Sequence, residues 1–229
     1  MNNAAIITAA GAGNRFGELK QFKRLNGQPL YDYSLRIFAD IALFNEIILV
    51  VPDESQKIIE KEVQDKYGSL VKVVIGGINR QDSVKNGVDV SDSESTLICI
   101  HDAVRPFVTE DLIHQSILGC EFFDGVVVGT PIKDTVKISE NGMVKETLER
   151  EKIWLAQTPQ CFHKNKLIQA FDNAETENLT GTDESALMEA MGFSIKLVDG
   201  DTSNFKITTK NDWIRAEIAV MQQGKGTAL

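Results

Sequence analysis

Five short apolar runs, rich in β-branched residues, do most to limit what this chain can fold into. They cover residues 4–10, 47–51, 71–75, 97–100 and 126–128. Runs that are apolar at nearly every residue suit strands buried on both faces, as in a parallel sheet. The stretches between them carry helical spacing: within 55–67, Ile58, Ile59 and Val63 share a face, and within 110–120 so do Leu112, Ile113, Ile117 and Leu118. Strand alternating with helix predicts an α/β fold with a doubly wound, mostly parallel, right-handed, Rossmann-like sheet. Ligands of such sheets sit beyond the carboxyl ends of the strands.

The chain has 229 residues, 42% hydrophobic and 25% charged, and shows no repeat or linker, so 1–229 reads as one domain. A chain of this size buries roughly 70–75% of its extended surface. The net charge of -9 lacks the broad basic footprint of a nucleic-acid binder, yet leaves room for a small anion where a few cations converge. No apolar run approaches the roughly 20 residues of a membrane span, so no membrane partner is expected. The first ten residues lack the basic region and cleavage pattern of a signal peptide. Cys99, Cys120 and Cys161 are odd in number and lack C-x-x-C spacing, which reads as buried thiols in a reducing, cytoplasmic compartment. Asn178-Leu179-Thr180 matches a glycosylation sequon by chance, and 222–229 reads as a frayed tail.

One segment breaks the alternation. Residues 134–149 are polar and carry Asn141-Gly142, a pair suited to a type I′ hairpin turn. Val136, Ile138, Met143 and Val144 give it only a thin apolar face. A lone two-stranded hairpin is marginal in water, so a protruding β-arm packed against a second subunit is the reading, with a loose surface hairpin as the plain alternative.

The first run leads into Ala9-Ala10-Gly11-Ala12-Gly13-Asn14-Arg15-Phe16-Gly17. Small residues let ligand oxygens approach backbone N–H groups, while Arg15 and Lys20 add a planar and a compact cation. A dinucleotide loop would need a third glycine, where Phe16 stands, and an acid about 20 residues on, whereas the second strand ends near Asp53. A tight turn with solvated charges and a nucleoside-triphosphate loop are the other two readings. Beyond the third run, Gly76-Gly77 would let backbone reach a flat base and Ser83 could offer it a hydroxyl, or Asp82 or Ser83 could simply cap a helix. Beyond the fourth, Asp102 could hold a ribose hydroxyl or a metal's water shell. His101 reads as a satisfied structural histidine, and Pro106 keeps Arg105 extended.

Taken in order, these residues resemble the 2-C-methyl-D-erythritol 4-phosphate cytidylyltransferases of the non-mevalonate isoprenoid pathway. The resemblance rests on Ala9 to Gly13 with Arg15, Lys20-Gln21, Gly76-Gly77 with Arg80 and Asp82-Ser83-Val84, and His101-Asp102 with Arg105-Pro106. It continues in Asp134-Thr135 with Lys137, Arg150, Trp154, Gln157-Thr158-Pro159-Gln160, Thr182-Asp183, and Asn204 with Lys206. It implies a nucleotidyltransferase domain like those that act on nucleotide-diphospho-sugars, a homodimer formed through the arm, and magnesium carried mainly by the phosphates of CTP. It implies that CTP and a sugar-alcohol phosphate, methylerythritol phosphate, react to give a CDP-linked alcohol and pyrophosphate. By the same resemblance Arg15, Lys20, Arg150 and Lys206 form the catalytic set. Ala10, Gly11, Ala12, Gly13, Arg15, Lys20, Gly77, Ser83 and Asp102 would bind the nucleotide. Asp102, Arg105, Thr135, Arg150, Thr182 and Lys206 would bind the second substrate, with Thr135 and Arg150 reaching across the dimer. No metal ligand is assigned.

The residue types suit that chemistry. A phosphate monoester is already a nucleophile near neutral pH, so the barrier is mutual repulsion and alignment, which calls for cations rather than a Ser-His-Asp set. Thr8 stands where the family commonly has proline, and Val104 where it commonly has alanine. The Val form is also similar to a sister group, the ribitol 5-phosphate cytidylyltransferases, which offers an alternative acceptor. An NAD-dependent oxidoreductase or a non-catalytic nucleotide-binding protein are the alternatives of another class.

Overall fold

The computed structural model describes residues 2–13 and 16–225. Strand β1 (Asn3–Thr8) leads into the glycine loop, and a small hairpin, β2 (Arg24–Leu25) and β3 (Gln28–Pro29), precedes α1 (Leu30–Asp40). There follow β4 (Glu46–Val51), α2 (Gln56–Tyr67), β5 (Val71–Ile75), α3 (Arg80–Asp89), β6 (Leu97–Asp102), α4 (Glu110–Gly119) and β7 (Gly125–Pro131). The arm is β8 (Lys137–Glu140) and β9 (Met143–Thr147). The chain closes with β10 (Trp154–His163), α5 (Lys164–Glu177), α6 (Glu184–Ala190), β11 (Ile195–Asp199) and α7 (Lys210–Lys225).

Seven strands form the central sheet in the order β11-β7-β10-β6-β1-β4-β5. All neighbours pair parallel except β10, which runs antiparallel to both β6 and β7. Within β1, Ala5 and Ile7 join the core beneath α1, α2 and α4, while Ala4 and Ile6 join the core beneath α3, α5 and α6. Both faces are therefore covered, which is why the strand is apolar throughout rather than alternating. Ile6 and Ile7 are fully buried, and each such side chain contributes about 1.5–3 kcal/mol. A third cluster joins Phe16, Leu25 and Leu30 to Trp213 and Ala216 of α7 and so closes the glycine loop from behind.

The five sequence runs all become strands. Helix α2 buries Ile59 and Val63 but leaves Ile58 66% exposed, and α4 leaves Leu118 55% exposed, so the apolar faces are narrower than the spacing suggested. Helix α3 is capped by Asn79, whose side chain accepts the Asp82 N–H while Asp82 accepts the Asn79 N–H, rather than by Asp82 or Ser83 themselves. The start of the expected tail is helical, since α7 runs to Lys225, and 226–229 lie outside the described residues. Asn178 ends α5 in the left-handed conformation, φ 53°, a C-cap role that accounts for an asparagine there. The cysteines are free and buried. Among the described residues no helix is long and apolar enough to cross a membrane.

The arm carries Asn141 and Gly142 at φ 51° and 80°, as a type I′ turn requires. Every residue of β8 and β9 is exposed.

Candidate active site

From β1 the sheet winds to β4 and β5 on one side and to β6 on the other. The crevice at that reversal is where open α/β sheets bind ligands. Here the carboxyl ends of β1 and β6 stand side by side, Thr8 opposite Asp102, and the Thr8 hydroxyl donates to Asp102 Oδ1 at 3.2 Å.

The expected nucleotide contacts that are described, residues 10–13 with Lys20, Gly77, Ser83 and Asp102, all line one cleft of about 420 Å³, together with Lys206 and Val104. The loop is shaped from behind. Gln21 is 2% exposed, and its amide donates to the carbonyls of Ala9 and Gly11 at 2.9 Å each, holding both oxygens toward the protein. Gly13 has φ +70°, and a Cβ there would lie 1.9 Å from the Glu18 carbonyl oxygen. Its own carbonyl accepts the Phe16 and Gly17 N–H groups. Gly11 meets nothing within 4 Å of such a Cβ, so its bareness serves the open side of the cleft. Lys20 opens a short 3-10 turn, and its Nζ lies 5.9 Å from the centroid of the Phe16 ring, which packs edge-on against Trp213. Arg15, expected beside Lys20, lies outside the described residues.

Ser83 differs in detail from its expected part. Its hydroxyl donates to the Asn79 carbonyl at 2.8 Å and accepts the Gly77 N–H at 3.1 Å, so it shapes the second glycine loop from within. A Cβ on Gly77 would sit 2.2 Å from Asp82 Cβ, which explains the glycine.

Asp102 is the hub of the site. Its Oδ2 accepts from Lys206 at 2.7 Å, its Oδ1 from Arg80 Nε at 3.2 Å, and Arg105 Nε stands 3.8 Å away. Burial alone would raise its pKa, but Lys206, Arg80 and Arg105 outweigh that and hold the carboxyl well below the usual range. The anion expected to receive a ribose hydroxyl or a hydrated metal is thus already engaged by cations. Arg80 carries a second carboxylate, Glu184, at 2.8 and 2.7 Å from Nη1. Burial raises the Glu184 carboxyl above its ordinary value, and Arg80 opposes that rise.

Beneath Asp102 runs a chain of hydrogen bonds. The Asp102 N–H donates to Thr158 Oγ1 at 3.0 Å, the Thr158 hydroxyl meets His101 Nδ1 at 3.1 Å, and His101 Nε2 meets the Arg105 carbonyl at 3.1 Å. A carbonyl can only accept, so Nε2 carries a proton, while the Thr158 hydroxyl can pair with Nδ1 in either direction. Burial pushes the His101 pKa down to about 4, which keeps the ring neutral near pH 7. The structural reading of His101 holds. Asn204 completes the frame: its carbonyl accepts from Arg105 Nη1 at 2.8 Å and its amide donates to the Thr158 carbonyl at 2.9 Å.

An adjoining cleft of about 230 Å³ is lined by Arg105, Thr182 and Gln160, and shares Arg80, Asp102 and Lys206 with the first. Four of the expected second-substrate residues, Asp102, Arg105, Thr182 and Lys206, therefore converge. Thr135 and Arg150 do not: Thr135 is exposed at the base of the arm, and exposed Arg150 pairs with Glu151 at 3.2 Å and the Lys133 carbonyl at 3.1 Å. Asp53, the acid nearest a dinucleotide role, is exposed after β4 and does not line the cleft. Sequence reasoning assigned no role to Arg80, Gln21, Thr158, Asn204 or Glu184. The partners of Arg80, Thr158, Asn204 and Glu184 lie far away in the chain, 104 residues for Arg80 and Glu184, and those of Gln21 are backbone carbonyls 12 and 10 residues back, so spacing does not reveal what any of them holds.

The family model for 2-C-methyl-D-erythritol 4-phosphate cytidylyltransferase (IspD) matches residues 3–222. A curated protein of that name from Caldanaerobacter subterraneus subsp. tengcongensis is 38% identical over 223 residues, covering 95% of this chain and 98% of its own. One from Dictyoglomus thermophilum is 39% identical, covering 93% and 94%. The crystal structure of 4-diphosphocytidyl-2C-methyl-D-erythritol synthase from Anaerococcus prevotii DSM 20548 is similar at TM-score 0.86 and 32% identity, with 96% of this chain and 98% of that one covered. The cytidylyltransferase structure from Thermus thermophilus is similar at TM-score 0.80 and 28% identity, covering 96% and 98%. With a family model matching nearly the whole chain, and relatives of that name 38–39% identical over more than nine-tenths of it, the chain belongs to the 2-C-methyl-D-erythritol 4-phosphate cytidylyltransferase family.

Proposed function

We propose that this enzyme joins CTP and 2-C-methyl-D-erythritol 4-phosphate to give 4-diphosphocytidyl-2-C-methyl-D-erythritol and pyrophosphate, a step of isoprenoid precursor synthesis. The observation that carries the reading is a glycine-loop cleft and a second cleft that meet at Asp102, Arg80 and Lys206, at the reversal of the sheet. CTP lies in the first cleft with its phosphates against residues 10–13 and Lys20, and its base against Gly77, which Ser83 holds in place. The acceptor lies in the second, against Arg105, Thr182 and Lys206.

An oxygen of the acceptor's phosphate attacks the α-phosphorus of CTP. The new P–O bond forms as the bond between the α-phosphorus and its bridging oxygen breaks, and that oxygen leaves with pyrophosphate. No side chain abstracts a proton. Lys20 and Arg15 shield the charge that grows on the phosphoryl oxygens, while Lys206 aligns the attacking phosphate. Among the described residues no cluster of three or more His, Cys, Asp or Glu has the arrangement of a metal site. Asp102, the carboxylate lining the first cleft among those residues, is held by Lys206 and Arg80. This donor set suits an anion rather than a caged cation, so magnesium would enter on the CTP phosphates, which it binds readily while keeping its waters.

The arm makes the enzyme a homodimer, and Thr135 and Arg150 act on the acceptor bound by the partner subunit. Pyrophosphate release by the pure protein with CTP, magnesium and each acceptor tests the reading. Release with methylerythritol phosphate is expected, together with a roughly 10²-fold loss of turnover in Lys20→Ala while the fold survives. Release with ribitol 5-phosphate alone would transfer the enzyme to the sister group.

A further inference from the structure

We propose that Arg80 is a positioning residue that keeps the nucleotide cleft and the acceptor cleft in register by gripping Asp102 and Glu184 with one guanidinium. The inference deepens the function proposed above and rests on it. Arg80 is the first residue of α3, and its backbone is tied to the second glycine loop by the Asn79–Asp82 capping box. Its Nη1 reaches Glu184 Oε1 and Oε2 at 2.8 and 2.7 Å, and its Nε reaches Asp102 Oδ1 at 3.2 Å. Glu184 is the first residue of α6, two positions after Thr182, and Asp183 between them caps that helix and accepts from Gln160 at 2.8 Å. One side chain thus links the start of α3, the end of β6 and the start of α6.

Glu184 is 1% exposed and lines neither cleft, so it touches no substrate; what it does is hold Arg80. Only a planar fork can address two carboxylates in these directions, and a lysine ammonium keeps the charge without the geometry. If the strut is loosened, each substrate still finds its own wall. What is lost is the alignment of the two phosphates, and alignment acts on turnover rather than on binding.

The test compares Arg80→Lys with wild type in pyrophosphate release and measures CTP affinity by calorimetry. A loss of about 10²-fold in kcat is expected, with CTP Kd and acceptor KM each within about 3-fold of wild type. A buried Glu184 without its partner endangers folding, so the double variant R80M/E184Q, which removes both charges together, is measured as well. It should melt cooperatively and show the same kcat loss. Retained kcat in either folded variant overturns the proposal. A loss confined to CTP Kd also overturns it, since Arg80 would then be a direct nucleotide contact. Failure of both variants to fold would assign Arg80 to stability alone and overturn it too. If wild type itself releases no pyrophosphate with methylerythritol phosphate, the functional reading fails and this inference with it. An active wild type beside an unimpaired R80K rejects the strut alone.

Discussion

His101 has no exposed surface, and both of its ring nitrogens are engaged, Nδ1 by the Thr158 hydroxyl and Nε2 by the Arg105 carbonyl. That has a consequence for stability. The unfolded chain takes up a proton on this residue near pH 6.5, whereas the folded one resists until about pH 4, because burial penalises the cation. The unfolded state therefore binds more protons in this window, and stability is full above pH 6.5 and falls as the pH drops toward 4. At 1.36 kcal/mol per unit, His101 accounts for a loss of about 2 kcal/mol between pH 7 and pH 5. Urea midpoints at the two pH values check this. His101→Gln should show a correspondingly shallower dependence, and a variant as steep as wild type would remove His101 as the cause. Asp102 does not share this window, because its depressed pKa keeps it charged at pH 5.

At the scale of elements, the glycine loop separates conformation from contact. Gly13 sits at φ +70° with the Glu18 carbonyl in the way, while Gly11 faces open space. Gly13→Ala should lower the melting temperature by several degrees, since both the left-handed conformation and the clash count against it. Gly11→Ala should leave melting unchanged yet weaken CTP, because its methyl enters the cleft where phosphate oxygens approach backbone. Thermal melts with CTP titrations separate the two, and equal melting losses would contradict the assignment. Elements also differ in how far the sequence exposes them. The strands β1, β4, β6 and β7 were legible because burial on both faces leaves a nearly continuous apolar run, and the edge strand β5 because Val71, Val73, Val74 and Ile75 keep it β-branched despite exposed Lys72. Strand β10 was not: it contains Gln157, Thr158, Pro159 and Gln160, its register shifts between Ala156 and Gln160, and a proline inside a run argues against a strand. Those same polar residues form the frame under Asp102, so what hides the strand is what serves the site. The edge strand β11 was hidden by its half-exposed face, Lys196 and Asp199 included.

At the scale of the molecule, legibility follows chain distance. The two glycine loops and the segment after β6 each declare themselves locally, whereas the ion pairs that join the clefts span 22 and 104 residues and exist only once the sheet has formed. The arm is the remaining step, because it belongs to no core of this chain. Its strands expose Ile138 at 39%, Met143 at 74% and Val144 at 64%, and a two-stranded ribbon this bare is marginal in water. The homodimer proposed above would account both for its persistence and for the absence of Thr135 and Arg150 from the lining of either cleft. In a two-fold dimer each site would then use Lys20 of one chain and Arg150 of the partner subunit. Arg150→Ala should impair acceptor use far more than CTP affinity, and Lys20→Ala should lose turnover. Mixing the two impaired variants and allowing subunits to exchange makes half of the dimers mixed. Each mixed dimer regains one intact site of two, so about a quarter of wild-type turnover should return. If Arg150 instead served its own chain, every site would keep one defect and mixing would restore nothing.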